Sequence, residues 1–454
     1  MSQVCIIGGG VSGLATAKAA LDMGLEPIIL EKAESIGGLW RPNTGSVWDS
    51  LKTNVSNYSM DLGMPHQDST PRFLHKDEVY RYLFDFSQQY NLDQYTNTQT
   101  NVTKVTPFDN QWKVEWLQNG EHHVQVFPNL VIASGVFSKS YIPDIKGLKD
   151  FEGTVIHSKD YKNANALKNK RVVVIGNAFS GSEITCDLVS SNQCQKVTNF
   201  ARRKLFVMNP YCDNVPWDLV FFKRFIADQK KPTSYTYATI SEKYDEYLDS
   251  GKFDLKLGQI SHIQKDGVVL DNGEKISADA LIFSTGYRTE LSYLDPKICE
   301  AVKFDPQDSF LPMTLYKSML HPDFDNLGFV GMYRGPHFSV IQLQAQALMS
   351  IFAKKISMPE RQELMFGMDS VKKLRESNPK TQYPYPNNIE FCDGIASLIG
   401  AKPEPKDFHN DYNLWNMIYK GPFSLAHYGL KGVYAQPEYA KKHIKQLQKA
   451  VNEL

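Results

Sequence analysis

The chain has 454 residues, enough by a prior of roughly 150 residues per domain for two or three domains with sizeable cores. Its 50 Lys plus Arg balance 50 Asp plus Glu, and without clustered basic charge a nucleic-acid partner is not expected. The six cysteines, Cys5, Cys186, Cys194, Cys212, Cys299 and Cys392, form no C-x-x-C pair and no metal-ligand spacing. A disulfide framework, a redox dithiol and a metal site are therefore disfavoured. No apolar run approaches the roughly 20 residues of a membrane span. The N-terminus enters an apolar strand with no leader-like segment, so a cytoplasmic protein is expected, with peripheral membrane contact left open. Two glycosylation patterns, Asn54-Val55-Ser56 and Asn101-Val102-Thr103, read as chance in that setting.

The first informative stretch is Val4-Cys5-Ile6-Ile7 followed by Gly8-Gly9-Gly10-Val11-Ser12-Gly13. This is G-x-G-x-x-G directly after an apolar strand. Leu14, Ala17 and Leu21 then recur at helical spacing, Gly24 ends the helix, and a second strand of Pro27-Ile28-Ile29-Leu30 closes on Glu31. Such a unit binds a dinucleotide. Gly8 permits the tight turn, Gly10 lets backbone approach a pyrophosphate, Gly13 lets helix meet strand, and Glu31 stands where a ribose hydroxyl is expected. The helix N-terminus offers its unpaired N–H groups to the phosphates.

A second unit begins at Arg171-Val172-Val173-Val174-Ile175 and turns through Gly176-Asn177-Ala178-Phe179-Ser180-Gly181 into a helix carrying Ile184 and Leu188. Ala178 replaces the middle glycine, and its methyl is expected to push a pyrophosphate outward slightly. The next strand, 197–200, ends in Ala201-Arg202-Arg203 instead of an acid. Arginine at that edge suits a 2′-phosphate, hence NADPH. The alternative is a solvated basic pair.

Both units continue alike. Residues 112–116 and 122–126 alternate around Asn119-Gly120, and 268–270 and 275–276 flank Asn272-Gly273, so each unit is read as carrying a hairpin. Each hairpin leads into an apolar strand ending in small residues, Leu130 to Gly135 and Ala280 to Gly286. The fold class is α/β, with two Rossmann-like dinucleotide-binding domains, one for FAD and one for NADPH. The FAD domain is taken as discontinuous, 1–163 and 281–454 with a C-terminal helical region, around an NADPH domain at 164–280. That domain carries an aromatic-rich insertion at about 205–255.

Between the units stands Phe151-x-Gly153-x-x-x-His157-x-x-x-Tyr161, which resembles the signature of the flavin-containing monooxygenases, class B flavoproteins, in their eukaryotic branch. The related Baeyer–Villiger monooxygenases are expected to carry Trp in place of Tyr161. The resemblance runs through Gly37-Gly38-Leu39-Trp40, Ser50-Leu51-Lys52-Thr53-Asn54, Asp213-Asn214-Val215-Pro216-Trp217-Asp218 and Phe283-Ser284-Thr285-Gly286-Tyr287. It departs at Ala178 and in the polar, lysine-rich C-terminus at 438–454, where mammalian relatives have an apolar tail.

This resemblance implies FAD held by Gly8, Gly9, Gly10, Val11, Ser12, Gly13, Glu31, Gly38, Leu39, Trp40, Asn54 and Val55. It implies NADPH held by Thr53, Asn54, Gly176, Asn177, Ser180, Gly181, Ser182, Glu183, Arg202 and Arg203. The reaction implied is reduction of FAD by NADPH, addition of O2 to form a flavin C(4a)-hydroperoxide, and transfer of one oxygen to an amine or sulfide, the cofactor carrying the hard chemistry. Asn54 is the candidate catalytic side chain, because its amide offers both donor and acceptor. His157 is not assigned to catalysis, since that mechanism needs no enzyme base.

The partners expected are a nucleophilic small molecule and O2, with a homodimer left open. The aromatic stretch at 215–225 suits a substrate entrance, a membrane surface or a dimer contact, with ordinary core packing as the leading reading. Residues 342–352 are expected to form a helix returning to the FAD domain. Rival functions are Baeyer–Villiger oxygenation of ketones, NADPH oxidase activity and a non-catalytic flavoprotein. A flavin disulfide reductase lacks its cysteine pair.

Overall fold

The computed structural model describes residues 1–42, 45–229 and 237–454. Val4, Cys5 and Ile6 are fully buried, as are Val174 and Leu281. Runs that bury both faces belong in parallel sheets covered on both sides, where alternation would leave one face wet. Two such sheets form, each of five parallel strands.

In the first sheet the strands lie in the order Leu327–Phe329, Asn129–Ile132, Gln3–Ile7, Glu26–Leu30 and Thr96–Asn97. The second has the order Thr154–His157, Ala280–Phe283, Arg171–Ile175, Lys196–Ala201 and Asp254–Leu257. In each, the strand before the glycine turn is central, with the strand after the helix on one side and the return strand on the other. The glycine turns open the helices Val11–Asp22 and Phe179–Ser191.

The sheets do not divide at the expected boundaries, 163/164 and 280/281. The strand Thr154–His157 pairs with Ala280–Phe283 and not with the first sheet. The second unit's sheet therefore draws on residues 154–283, and the first sheet recovers its outer strand only at Leu327–Phe329. Strands of three or four residues do not by themselves specify a partner; pairing decides where they sit.

Each hairpin has gained a strand. Thr100–Phe108 joins Gln111–Gln118 and Glu121–Phe127, and Ile260–Gln264 joins Gly267–Leu270 and Lys275–Ser277, in three-stranded antiparallel sheets. Asn119 and Gly120 both take positive φ, 52° and 83°, as a two-residue turn requires. In the second hairpin only Gly273 does, at 84°, and Leu270 N–H reaches Glu274 O at 2.9 Å across a longer loop.

The helix expected at 342–352 starts earlier, at Phe338, and all of Phe338–Phe352 except Gln346 is buried. It packs against the helix Val11–Asp22 within the largest core cluster. The polar C-terminus forms the helix Pro437–Asn452, whose Ala440, Ile444 and Leu447 are buried, one apolar stripe at helical spacing. Among the described residues no helix is long and apolar enough to cross a membrane.

Candidate active site at two glycine turns and a bridging strand

The two turns share one set of backbone bonds. Gly8 N–H donates to Leu30 O at 3.0 Å and Gly176 N–H to Phe200 O at 2.8 Å. Ala133 N–H donates to Ile7 O and Ser284 N–H to Ile175 O, at 3.0 and 2.8 Å. Gly8 and Gly176 have φ of 114° and 109°, and a Cβ on either would lie 2.6 Å from the carbonyl oxygen of Ala133 or Ser284. At Gly13 and Gly181 a Cβ would fall 1.8 and 2.0 Å from the oxygens of Gly8 and Gly176. These four glycines are fixed by the protein's own backbone.

Gly10 is different, because a Cβ there would make only ordinary contacts with Gly38, its Cα at 3.5 Å and its N at 3.9 Å. It has φ −81° and ψ −169°, against −73° and −174° at Ala178. The middle position therefore needs no left-handed backbone, and Ala178 leaves the second turn undistorted. The turn's own backbone does not demand glycine at position 10, which fits a close-approaching group from outside the chain. Neither helix has a side-chain cap or an acid in its first turn, which leaves N–H groups at both N-termini for an anion. The residues present fit a pyrophosphate at each turn.

Glu31 is buried at the tip of its strand. Its Oε2 accepts from Gly9 N–H at 2.6 Å and its Oε1 from Ala33 N–H at 2.8 Å. Gly37 N–H donates to Gly9 O at 2.9 Å, so the loop before Leu39 and Trp40 lies against the first turn. Gly8 to Gly13, Glu31 and Gly38 are thus brought together. The register of the second sheet puts Ala201 where the first has Glu31, followed by the exposed Arg202. Arg203 stacks on Tyr237, 4.1 Å from the ring centre, and its carbonyl accepts from Asn177 Nδ2 at 2.9 Å. Arg202 has no ion pair among the described residues.

Ser182, expected at NADPH, is engaged within the protein. Ser182 is fully buried, its hydroxyl lies 2.7 Å from Thr239 Oγ1, and its N–H donates to Ala178 O at 2.9 Å. It joins the helix to the strand Ala238–Ile240. Glu183 and Ser180 are only half-buried, and burial raises the Glu183 carboxyl above its usual range. Thr53 is buried, with its hydroxyl donating to Val55 O at 2.7 Å and accepting from Leu74 N–H at 2.9 Å.

The strand Lys52–Ser56 carries Asn54, whose side chain is exposed and makes no hydrogen bond to a described residue. Its carbonyl accepts from Trp217 Nε1 at 2.6 Å. Next door, Asp218 is fully buried, and its Oδ2 accepts from Ser56 N–H at 3.0 Å and from the Ser56 and Ser59 hydroxyls at 2.7 Å. The 215–225 stretch therefore packs against the strand of Asn54 on one side. On the other, Phe423 N–H meets Phe222 O at 2.8 Å and Arg224 pairs with Asp393. Phe221 and Phe225 stay exposed. The sequence signal for this contact was available: a lone acid in an apolar run must find donors when buried.

The signature residues tie parts of the second unit to one another. Nδ1 of His157 accepts from Lys159 N–H at 3.1 Å, so Nε2 carries the proton and donates to Gly286 O at 2.9 Å. Burial lowers its pKa, and a neutral, doubly bonded imidazole is a structural tie. A Cβ on Gly153 would meet Asp279 O at 2.4 Å and the Phe151 ring at 2.6 Å. Tyr161 donates its hydroxyl to Asp187 on the second glycine helix, and the Ser50 hydroxyl donates to the same carboxylate.

A family model described as flavin-binding monooxygenase-like matches residues 1–272 and 258–452. The human protein named flavin-containing monooxygenase 2 is 27% identical over 488 residues, covering 95% of this chain and 89% of that protein. Among solved structures, S-allyl-L-cysteine S-oxygenase from Allium sativum superposes with a TM-score of 0.69 at 21% identity, covering 100% of this chain and 99% of the other. The NADP+-bound cyclohexanone monooxygenase from Rhodococcus sp. Phi1 has a TM-score of 0.68 at 15% identity, covering 88% of this chain and 98% of the other. At these identities the two structures establish a shared fold. With the family model spanning both glycine turns and the strand between them, the chain belongs to the flavin-binding monooxygenase-like family and is a monooxygenase that uses FAD and NADPH.

Proposed function

We propose that the enzyme oxygenates soft nucleophiles, forming N-oxides from tertiary amines and S-oxides from sulfides. The observation that carries this reading is Asn54, held by its main chain on Trp217 while its amide stays exposed and unbonded among the described residues. The balance is NADPH, H⁺, O2 and the amine giving NADP⁺, water and the N-oxide. Bound FAD supplies the redox chemistry, taking electrons from NADPH and delivering one oxygen atom.

The residues of the chain have simpler tasks. Glu31, held by Gly9 and Ala33, would meet the ribose of FAD, and Gly10 would let the pyrophosphate approach the backbone. The exposed Arg202 would pair with the 2′-phosphate of NADPH. The Asn54 amide would offer a donor to the reacting oxygen from a strand whose main chain the NADPH unit holds.

NADPH oxidation with panels of amines, sulfides and ketones, scored as oxygenated product against hydrogen peroxide, tests the reading. Amines and sulfides should be converted. Ketone conversion in their place would favour Baeyer–Villiger chemistry. Asn54→Leu should keep consuming NADPH yet release mostly hydrogen peroxide, since losing one preorganised donor typically costs about 10²–10³ in rate. Unchanged coupling in that variant would remove Asn54 from the site.

A further inference from the structure

The strand Lys52–Ser56 is tied to the NADPH unit at both ends. Just before it, the Ser50 hydroxyl reaches Asp187 on the second glycine helix, and Asp49 N–H donates to Lys162 O at 2.8 Å beside Tyr161, which also holds Asp187. At its far end, Trp217 takes the Asn54 carbonyl and Asp218 takes Ser56 and Ser59. Three donors converge on one carboxylate oxygen of Asp218, while its Oδ1 is buried with no partner. A fully buried acid with one oxygen unmatched is a costly way to pack a helix end. It is well suited to fixing the height of one strand, since all its bonds go to residues 56 and 59.

We infer that Trp217 and Asp218 are positioning residues that set Asn54 from the NADPH side, so that the reactive geometry at residues 52–56 depends on the seating of the nucleotide unit. The inference rests on the reading of Asn54 given above. The Trp217 bond acts on the main chain of Asn54 and the Asp218 bonds act two residues later. Together they restrain the main chain that carries the exposed amide without touching the amide itself. Because Trp217–Phe221 belongs to the insertion of the second unit, any shift of that insertion moves Asn54.

The test uses the full-length, FAD-loaded enzyme with and without NADP⁺. Trp217→Phe keeps the ring and removes the single N–H donor, so the fold should survive; Asp218→Ala removes the acceptor, and Asp218→Asn restores one. Hydrogen exchange at the amides of residues 52–56 should quicken in Trp217→Phe and Asp218→Ala and return toward the parental rate in Asp218→Asn. Oxygenated product per hydrogen peroxide should fall about two- to tenfold in the first two, the worth of one ordinary hydrogen bond. FAD content and melting temperature of Trp217→Phe should match the parent.

Parental exchange at 52–56 in Trp217→Phe would overturn the inference, as would parental coupling in that variant while Asn54→Leu uncouples. If Asn54→Leu itself stays coupled, the reading of Asn54 fails, and the exchange data report separately whether the grip on the strand exists.

Discussion

The two nucleotide units repeat one backbone and part company at a few atoms. Their central strands, turns and return strands exchange the same bonds, and their glycine φ values differ by 5° at Gly8 and Gly176. The difference lies at the strand tip, where Glu31 closes on Gly9 in one unit and Ala201-Arg202 leaves an exposed guanidinium in the other. A second difference is where the outer strand comes from, Leu327–Phe329 far along the chain against Thr154–His157 just before the second unit. The common backbone makes a phosphate seat, and the tip decides which nucleotide suits it. The outer strands explain the order of the chain: the second unit is closed by its own neighbourhood, the first only after the whole second unit has been made.

The glycines give the sharpest break between the units. Gly13→Ala and Gly181→Ala each drive a Cβ to within 2.0 Å of a backbone oxygen, a clash in the class that costs more than about 4 kcal/mol. Gly13→Ala should yield little soluble protein and no bound flavin, whereas Gly10→Ala should fold, as Ala178 already does, and hold FAD more weakly. Expression yield and visible flavin absorbance distinguish them. Full FAD affinity in Gly10→Ala would mean that the space there is not the pyrophosphate's.

Acid–base behaviour should separate the units next. Burial pushes the Asp61 carboxyl of the first unit up to about 7 from 3.8, against bonds from Gly63, Tyr82 and Met64. The Arg171 guanidinium and N–H hold Asp279 of the second unit down at about 2. A raised carboxyl binds its proton more tightly when folded. Its contribution is full below about pH 4 and is lost as pH rises through 7, while the Asp279 contribution is present above about pH 4 and lost as pH falls toward 2. Three pK units at 1.36 kcal/mol set an upper limit of about 4 kcal/mol for Asp61. Asp61→Asn should therefore lose less stability than the parent between pH 5 and pH 8 (about the range where the acid titrates), read from urea midpoints. Equal pH slopes would show that the carboxylate is solvated in the folded state.

The smallest of the three effects concerns the strand tip. Arg202→Ala should weaken NADPH by about 1.5–3 kcal/mol, roughly ten- to a hundredfold, and leave NADH nearly unchanged. Titration with both nucleotides reads the difference. Equal losses would place Arg202 in the fold of the second unit, beside the stacked Arg203, and the comparison of the tips would lose its chemical content.

The amino-acid sequence determined both glycine units, their helices, the acid at 31, the arginines at 202–203 and the paired hairpins. These follow from local rules: apolar runs at strand length, glycine where φ is positive or a Cβ would strike backbone, and apolar spacing along a helix. Only the tertiary structure decided where the short strands pair, because the strand-forming residues of Thr154–His157 and Leu327–Phe329 do not by themselves choose a partner. It also decided that Ser182 is spent on Thr239, that His157 is a tie between Lys159 and Gly286, and that Trp217 and Asp218 close on a strand more than 150 residues earlier in the chain. Hydrogen-bond partners at such separation depend on how two sheets face one another. That relation is set by the packing of whole units and is not written in any one segment.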